Sequence, residues 1–186
     1  MSADSHNRNN LILIGFASCG KTTVGRLAAA RLQMDFSDLD LEIEALFRKQ
    51  QGYTLTCRQI FTNHGRDFFL DLEAESLSQF TGKQAVLATG GGAPLPERNQ
   101  EVLKKLGQII YLQADPAVLL ERMQIKGVPA SLVDAPSVAC FMDCVKERHV
   151  VYSALADAII ATTRKEIQAV TSEVVTFYEQ HNRHII

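Results

Sequence analysis

Leu11-Ile12-Leu13-Ile14-Gly15-Phe16-Ala17-Ser18-Cys19-Gly20-Lys21-Thr22-Thr23 is the stretch on which the reading of this chain turns. The apolar run Leu11 to Ile14 reads as a buried strand that stops at Gly15. From Lys21 to Leu32, apolar groups at Val24, Leu27, Ala28 and Leu32 have the spacing of a helix. Between the two, Gly15 to Thr22 fits G-x-x-x-x-G-K-S/T. Glycines let such a turn curl until successive backbone N–H groups point inward, and the helix that follows adds the positive end of its dipole. Lys21 then reaches the β- and γ-phosphates of a nucleotide, and Thr22 offers a hydroxyl to Mg²⁺. With a strand before the loop and a helix after it, a nucleoside triphosphate site is expected over Ala17, Ser18, Cys19, Gly20, Lys21, Thr22 and Thr23.

Outward from this loop, strands alternate with helices. Met34 to Leu39 reads as a second strand and Asp40 to Gln51 as a helix with Leu41, Ile43, Leu46 and Phe47 toward a core. Thr56 has the position of an N-cap before Ile60 and Phe61, and Gly65 to Phe80 reads as a longer helix. Ala85 to Ala88 is a buried strand that stops at Gly90-Gly91-Gly92. Pro96 to Leu106 is amphipathic, and Gln108 to Leu112 is another strand. Helices follow at Pro116 to Gln124 and Val138 to Ala156, then a strand at Ala158 to Ala161 and a helix from Glu166 to Gln180. The alternation predicts an α/β fold, a parallel sheet covered by helices on both faces. No repeat or linker divides the chain, so one domain is expected over 11–181, behind a flexible N-terminal tail at 1–10.

The 186 residues carry 19 basic and 21 acidic side chains, a net charge of −2, and no long run of like charges. That balance excludes binding to nucleic acid or to an anionic membrane by bulk charge. Apolar runs fall far below the roughly 18 residues of a membrane span. The polar start, MSADSHNRNN, has no apolar segment of the signal-peptide kind, so a cytoplasmic location is expected. Cys19, Cys57, Cys140 and Cys144 form no C-x-x-C pair and no zinc-finger spacing, and Cys140 and Cys144 read as ordinary packing on a helix.

Two further constellations add chemistry. Asp38-Leu39-Asp40, read as extended chain, places two carboxylates on one face about 6 to 7 Å apart. One suits Mg²⁺, and the other suits a hydroxyl proton in line with the γ-phosphate. The bland alternative is that Asp40 merely caps the next helix. Thr89-Gly90-Gly91-Gly92, at the end of a buried strand, offers backbone N–H groups to an anion or a close approach to a ligand. No N-K-x-D base-selecting stretch of the GTPase kind is present, and the short chain points to a small-molecule kinase.

In that order and at compatible spacing, GFASCGKTTVGRLAA, DLD, ATGGGA and ERHVVYSALAD resemble the shikimate kinase family from Leu11 to about Ala161. The resemblance implies a P-loop NTPase three-layer fold with a five-stranded parallel sheet and a mobile lid, here at about 123–137. It implies transfer of the ATP γ-phosphate to the 3-hydroxyl of shikimate in aromatic amino-acid synthesis, with ATP and Mg²⁺, by a monomer. Carried over by position, Lys21 holds the phosphates, Thr22 and Asp38 serve Mg²⁺, and Asp40 binds the substrate hydroxyl and acts as base. Gly90, Gly91 and Gly92 line the substrate pocket and Arg148 pairs with the substrate carboxylate. Arg122 packs on adenine, and Arg164 closes the adenine pocket.

The departures from the family bear on the acceptor. Where the family presents a phenylalanine and then a carboxylate-clamping arginine, this chain has Phe68-Phe69, which removes a charged contact of about 1.5 to 3 kcal/mol. Arg66, one helical turn earlier, is the candidate to reach the same pocket, a solvated surface position being the alternative. The lid stretch Lys126 to Leu132 contains proline without arginine, leaving Lys126 as a point charge, and Ala161-Thr162-Thr163 replaces an acid-containing turn. Three readings follow: a shikimate kinase, a family member with a less anionic or bulkier hydroxylated acceptor, and a nucleotide-binding module without catalysis. Retention of Lys21, Thr22, Asp38 and Asp40 argues against the third, and the lid without arginine argues for it.

Overall fold

β1 (Asn10–Ile14) runs through the middle of the molecule with all five residues buried. It pairs on one side with β3 (Ala85–Ala88) and on the other with β4 (Gly107–Gln113), Leu11 lying opposite both Val86 and Gln108. β2 (Asp35–Asp38) and β5 (Ala158–Ala161) complete a five-stranded, all-parallel sheet in the order β2-β3-β1-β4-β5. The protein is described here from a computed structural model that covers residues 9–126 and 137–182.

Burial explains the order. β1 and β3 are buried at every position, as befits strands with helices over both faces, whereas β2 and β5 keep partly exposed residues and lie at the edges. The covering helices are α1 (Lys21–Leu32), α2 (Leu39–Gln51), α3 (Cys57–Ser78), α4 (Glu97–Leu106), α5 (Pro116–Lys126), α6 (Val138–Leu155) and α7 (Ile167–Asn182). The connection after β1 goes toward β2 and the one after β3 goes toward β4, so the direction of travel reverses between two adjacent strands. A crevice opens at the carboxyl ends of strands at such a point. The loop after β1 and the glycine run after β3 both end there.

The sequence expectations hold closely, with local shifts of physical origin. β1 begins at Asn10, within the stretch read as tail. The Asn10 side chain is buried, donates to Gly82 O (3.0 Å) and Leu106 O (2.9 Å), and accepts from Ala85 N (2.9 Å). Thr56 caps α3, with Gln59 N donating to its hydroxyl and its own N–H donating to Gln59 Oε1, a reciprocal box. Gly65, at φ 85°, breaks α3 into the two helical segments expected. Of the stretch read as a lid, Met123 is buried at the end of α5, Ser137 caps α6, and residues 127–136 lie outside the described residues. Among the described residues no helix is long and apolar enough to cross a membrane.

Candidate active site

The loop from Gly15 to Thr22 has the curl its glycines allow. Gly15 (φ 142°) passes so close to β4 that a Cβ there would stand 2.6 Å from Leu112 O, and Gly20 (φ 107°) forms the left-handed N-cap of α1. Lys21 is only 8% exposed, and its Nζ donates back across the loop to Gly15 O (2.8 Å) and Phe16 O (2.9 Å). Ala17, Ser18, Gly20, Lys21, Thr22 and Thr23 face a cleft of about 860 Å³. Cys19 is not among the residues lining that cleft: its side chain is buried in the core, Sγ 3.8 Å from Lys21 Nζ, so only its backbone is left to serve a nucleotide. Arg122 reaches the loop from α5 and donates to Ser18 O (3.3 Å). Arg164 lies in an exposed turn after β5, with φ 57°, and is not among the residues that line the cleft.

The acid pair has a different local geometry from the extended one expected. β2 stops at Asp38, which is the N-cap of α2, and its Oδ1 accepts from Asp40 N (3.2 Å). Asp38 is therefore the capping residue and Asp40 belongs to the first helical turn, because a carboxylate best satisfies the unpaired N–H groups from the N-cap position. The other oxygen of Asp38 accepts from Thr22 Oγ1 (2.9 Å), which joins the second strand to the phosphate loop. Both carboxylates still line the cleft. Asp40 opens onto it, while protein encloses its remaining sides. That enclosure, and next the charge of Asp38, raise its carboxyl above the ordinary value, with Lys21 acting in the opposite sense.

Gly90, Gly91 and Gly92 line the same cleft. A Cβ on Gly91 would stand 3.2 Å from Ala17 N, and one on Gly90 would stand 3.0 Å from Asp40 Oδ1. Bare backbone at these positions lets the β3 turn lie against both the loop and the acid. Tyr152, fully buried on α6, donates to Gly91 O (2.5 Å). One turn before it, Arg148 lines the cleft with its guanidinium 4.9 Å over the Phe16 ring. Arg66 is exposed and lines the cleft as well, together with Arg58.

On the α3 wall the structure places residues the sequence reading did not single out. Phe61, Leu70 and Glu73 face the cleft beside Phe69, so Leu70 shares with Phe69 the apolar surface there. Arg66, Phe69, Leu70 and Glu73 recur at helical spacing, and an acid continuing a stripe that enters a pocket was a signal available in the sequence. Glu73 is 2% exposed, and its Oε2 has no hydrogen-bond partner among the described residues. Burial, followed by the charge of Asp40, pushes its carboxyl up to about 7, against a lowering by Arg98.

A carboxyl raised in this way binds a proton in the folded state that the unfolded chain has already released. Stability contributed by Glu73 is thus present below the ordinary value of 4.5 and is lost as pH rises toward about 7, an effect of order 3 kcal/mol. Glu73→Gln is expected to flatten the fall in urea-unfolding free energy between pH 5 and pH 8. An unchanged slope would show that Glu73 titrates normally.

The shikimate kinase family model matches residues 17–179. The shikimate kinase of Methylococcus capsulatus is 36% identical over 176 residues, covering 94% of each chain. That of Geobacter sulfurreducens is 35% identical over 182 residues, covering 97% of this chain and 96% of the relative. Among solved structures, the shikimate kinase of Acinetobacter baumannii in complex with shikimate superposes with a TM-score of 0.80 at 31% identity, covering 93% of this chain and 94% of that one. The phosphate loop, the acid pair and the glycine turn thus meet in one cleft of a fold and sequence shared along nearly the whole chain, and this chain belongs to the shikimate kinase family.

Proposed function

We propose that this protein is an ATP-dependent kinase that phosphorylates a hydroxyl of shikimate in aromatic amino-acid synthesis. The observation that carries the reading is the convergence of Lys21, Asp40, the Gly90 to Gly92 turn and Arg148 on one cleft, with the phosphate loop at one end and the α3 wall at the other. Lys21 and the loop N–H groups of residues 17–23 hold the ATP phosphates, Cys19 through its backbone. Arg122 and Arg164 serve the adenine end. Arg148 meets the acceptor carboxylate, with Arg66 as its second cation, and the bare backbone of Gly90, Gly91 and Gly92 lets the acceptor approach Asp40.

Thr22 and Asp38 fit Mg²⁺: a hydroxyl and a carboxylate oxygen meet at 2.9 Å at the head of the phosphate loop, and Mg²⁺ takes such hard oxygens while keeping water and phosphate as its other ligands. When bound, the ion supplies neutralising charge to the phosphates. In the transfer the acceptor hydroxyl oxygen bonds to the γ-phosphorus, the bond from that phosphorus to the bridging oxygen breaks, and ADP leaves. The hydroxyl proton passes to Asp40. A carboxylate whose affinity for protons is raised is a better acceptor for it than an ordinary surface acid.

The apolar pair Phe69 and Leu70 on the α3 wall favours a second reading, a less anionic hydroxylated acceptor in the same enzyme class. ADP release, followed in a coupled assay with ATP, Mg²⁺ and shikimate, separates the two. Shikimate-stimulated release is the expected result. ATP binding without stimulation by shikimate, and with stimulation by quinate or gluconate, would overturn the first reading in favour of the second.

A further inference from the structure

Glu73 has no part in the transfer described above, yet it is the least accommodated side chain of the cleft. It is 2% exposed, it lines the same cleft as Asp40, and one of its oxygens is buried without a partner among the described residues. A buried polar atom left unpaired costs about 1 to 3 kcal/mol, so its presence calls for a compensating gain. The obvious internal partner is engaged elsewhere: Arg98 donates to Leu70 O (3.1 Å) and Asp71 Oδ1 (2.8 Å). The place where a Cβ of Gly90 would sit lies 3.0 Å from Asp40 Oδ1 and 3.5 Å from Glu73 Oε1, so the two carboxyls aim at one point from two helices. Phe69 and Leu70 lie one turn before Glu73 on the same wall and carry no charge.

We infer that Glu73 is a specificity-determining residue that hydrogen-bonds a non-reacting hydroxyl of the acceptor, the ring hydroxyl next to the one Asp40 addresses. This rests on the reading of the protein as a kinase of a polyhydroxylated ring acid. A second acid, deep in the wall beside Phe69 and Leu70, recognises hydroxyl groups and disfavours carboxylates, which leaves the acceptor carboxylate to the Arg148 side. The rise of the Glu73 carboxyl to about 7 agrees with this, since the neutral acid both donates to and accepts from a hydroxyl. The groups facing it are Asp40 from α2 and Arg98 from α4.

The test is a cycle between protein and ligand, measuring kcat/KM with shikimate, 4-deoxyshikimate and 5-deoxyshikimate for wild type, Glu73→Leu and Glu73→Gln. In wild type 4-deoxyshikimate, which lacks the hydroxyl next to the 3-hydroxyl, is expected to lose about tenfold or more relative to shikimate, and 5-deoxyshikimate to lose less. Glu73→Leu is expected to lose a similar factor with shikimate, to show less than a twofold further loss with 4-deoxyshikimate, and to keep a Tm at or above that of wild type because the unpartnered acid is gone. Glu73→Gln retains most of the discrimination. The inference is overturned if Glu73→Leu discriminates as wild type does, or if 4-deoxyshikimate is no more than threefold poorer than shikimate in wild type, a result that needs no variant to fold. The underlying kinase reading fails separately, by an absence of shikimate-stimulated ADP release in wild type.

Discussion

Lys21→Met is expected to lower kcat/KM for ADP release by about 10³-fold or more, with the acceptor KM far less affected than the rate. The magnitude follows from what one fixed cation or donor contributes where phosphoryl charge develops, about 10² to 10⁵ in rate across known cases. Lys21 is poised for that role: its ammonium is buried and held at 2.8 and 2.9 Å from two carbonyls of the very loop that must receive the phosphates. Methionine keeps the length and apolar stem and removes only the charge and its three donors. The carbonyls of Gly15 and Phe16 lose a partner in the variant, so a modest fall in Tm accompanies the loss. Single-turnover kinetics at saturating ATP check the effect. A variant that folds, binds ATP and turns over within tenfold of wild type would remove Lys21 from the chemistry.

Asp40→Asn is expected to reduce kcat by about 10²- to 10⁴-fold, the range for removal of a positioned general base. Asparagine preserves the shape at the start of α2 and the approach to Gly90, so the shikimate KM moves little by comparison. The pH profile distinguishes a base from an orienting group. In wild type kcat falls as pH drops and Asp40 takes up a proton, and this limb lies above the ordinary carboxyl value of 3.8 because the site encloses the group beside Asp38. Asp40→Asn lacks that limb. If the variant keeps both the limb and a kcat within tenfold, another group accepts the proton.

Much of this was legible along the chain because it depends on neighbours in sequence. A strand ending in glycine, a curled loop and a helix beginning with lysine are local events, and so are the Thr56 capping box and the break at Gly65. Thr22, Asp38, Asp40 and the glycine run after β3 were readable for the same reason, each being a motif at the end of an element. Local reading failed where two elements compete for one residue. Asp38 could end a strand or open a helix, and the four unpaired N–H groups of α2 decided for the cap. It also failed for Cys19, because a position inside a motif does not say which way a side chain turns once β4 closes over the loop.

The strand order is the second matter that spacing left open. Alternating strands and helices imply a parallel sheet, but the placement of β1 between β3 and β4 is a long-range result of burying the most apolar strands at the centre. That placement creates the crevice. Glu73 is the sharpest case. In the sequence it is one acid on a helix, marked only by its helical spacing from Arg66, Phe69 and Leu70. Only when α3 packs against α2 and the β3 turn does it become a buried carboxyl beside Asp40, with burial and a like charge rather than any local motif determining its behaviour. The chain's own order of residues therefore specified the phosphate chemistry, which backbone conformation over a few positions can build. The character of the acceptor wall arose from packing, because it depends on which distant side chains lose water together.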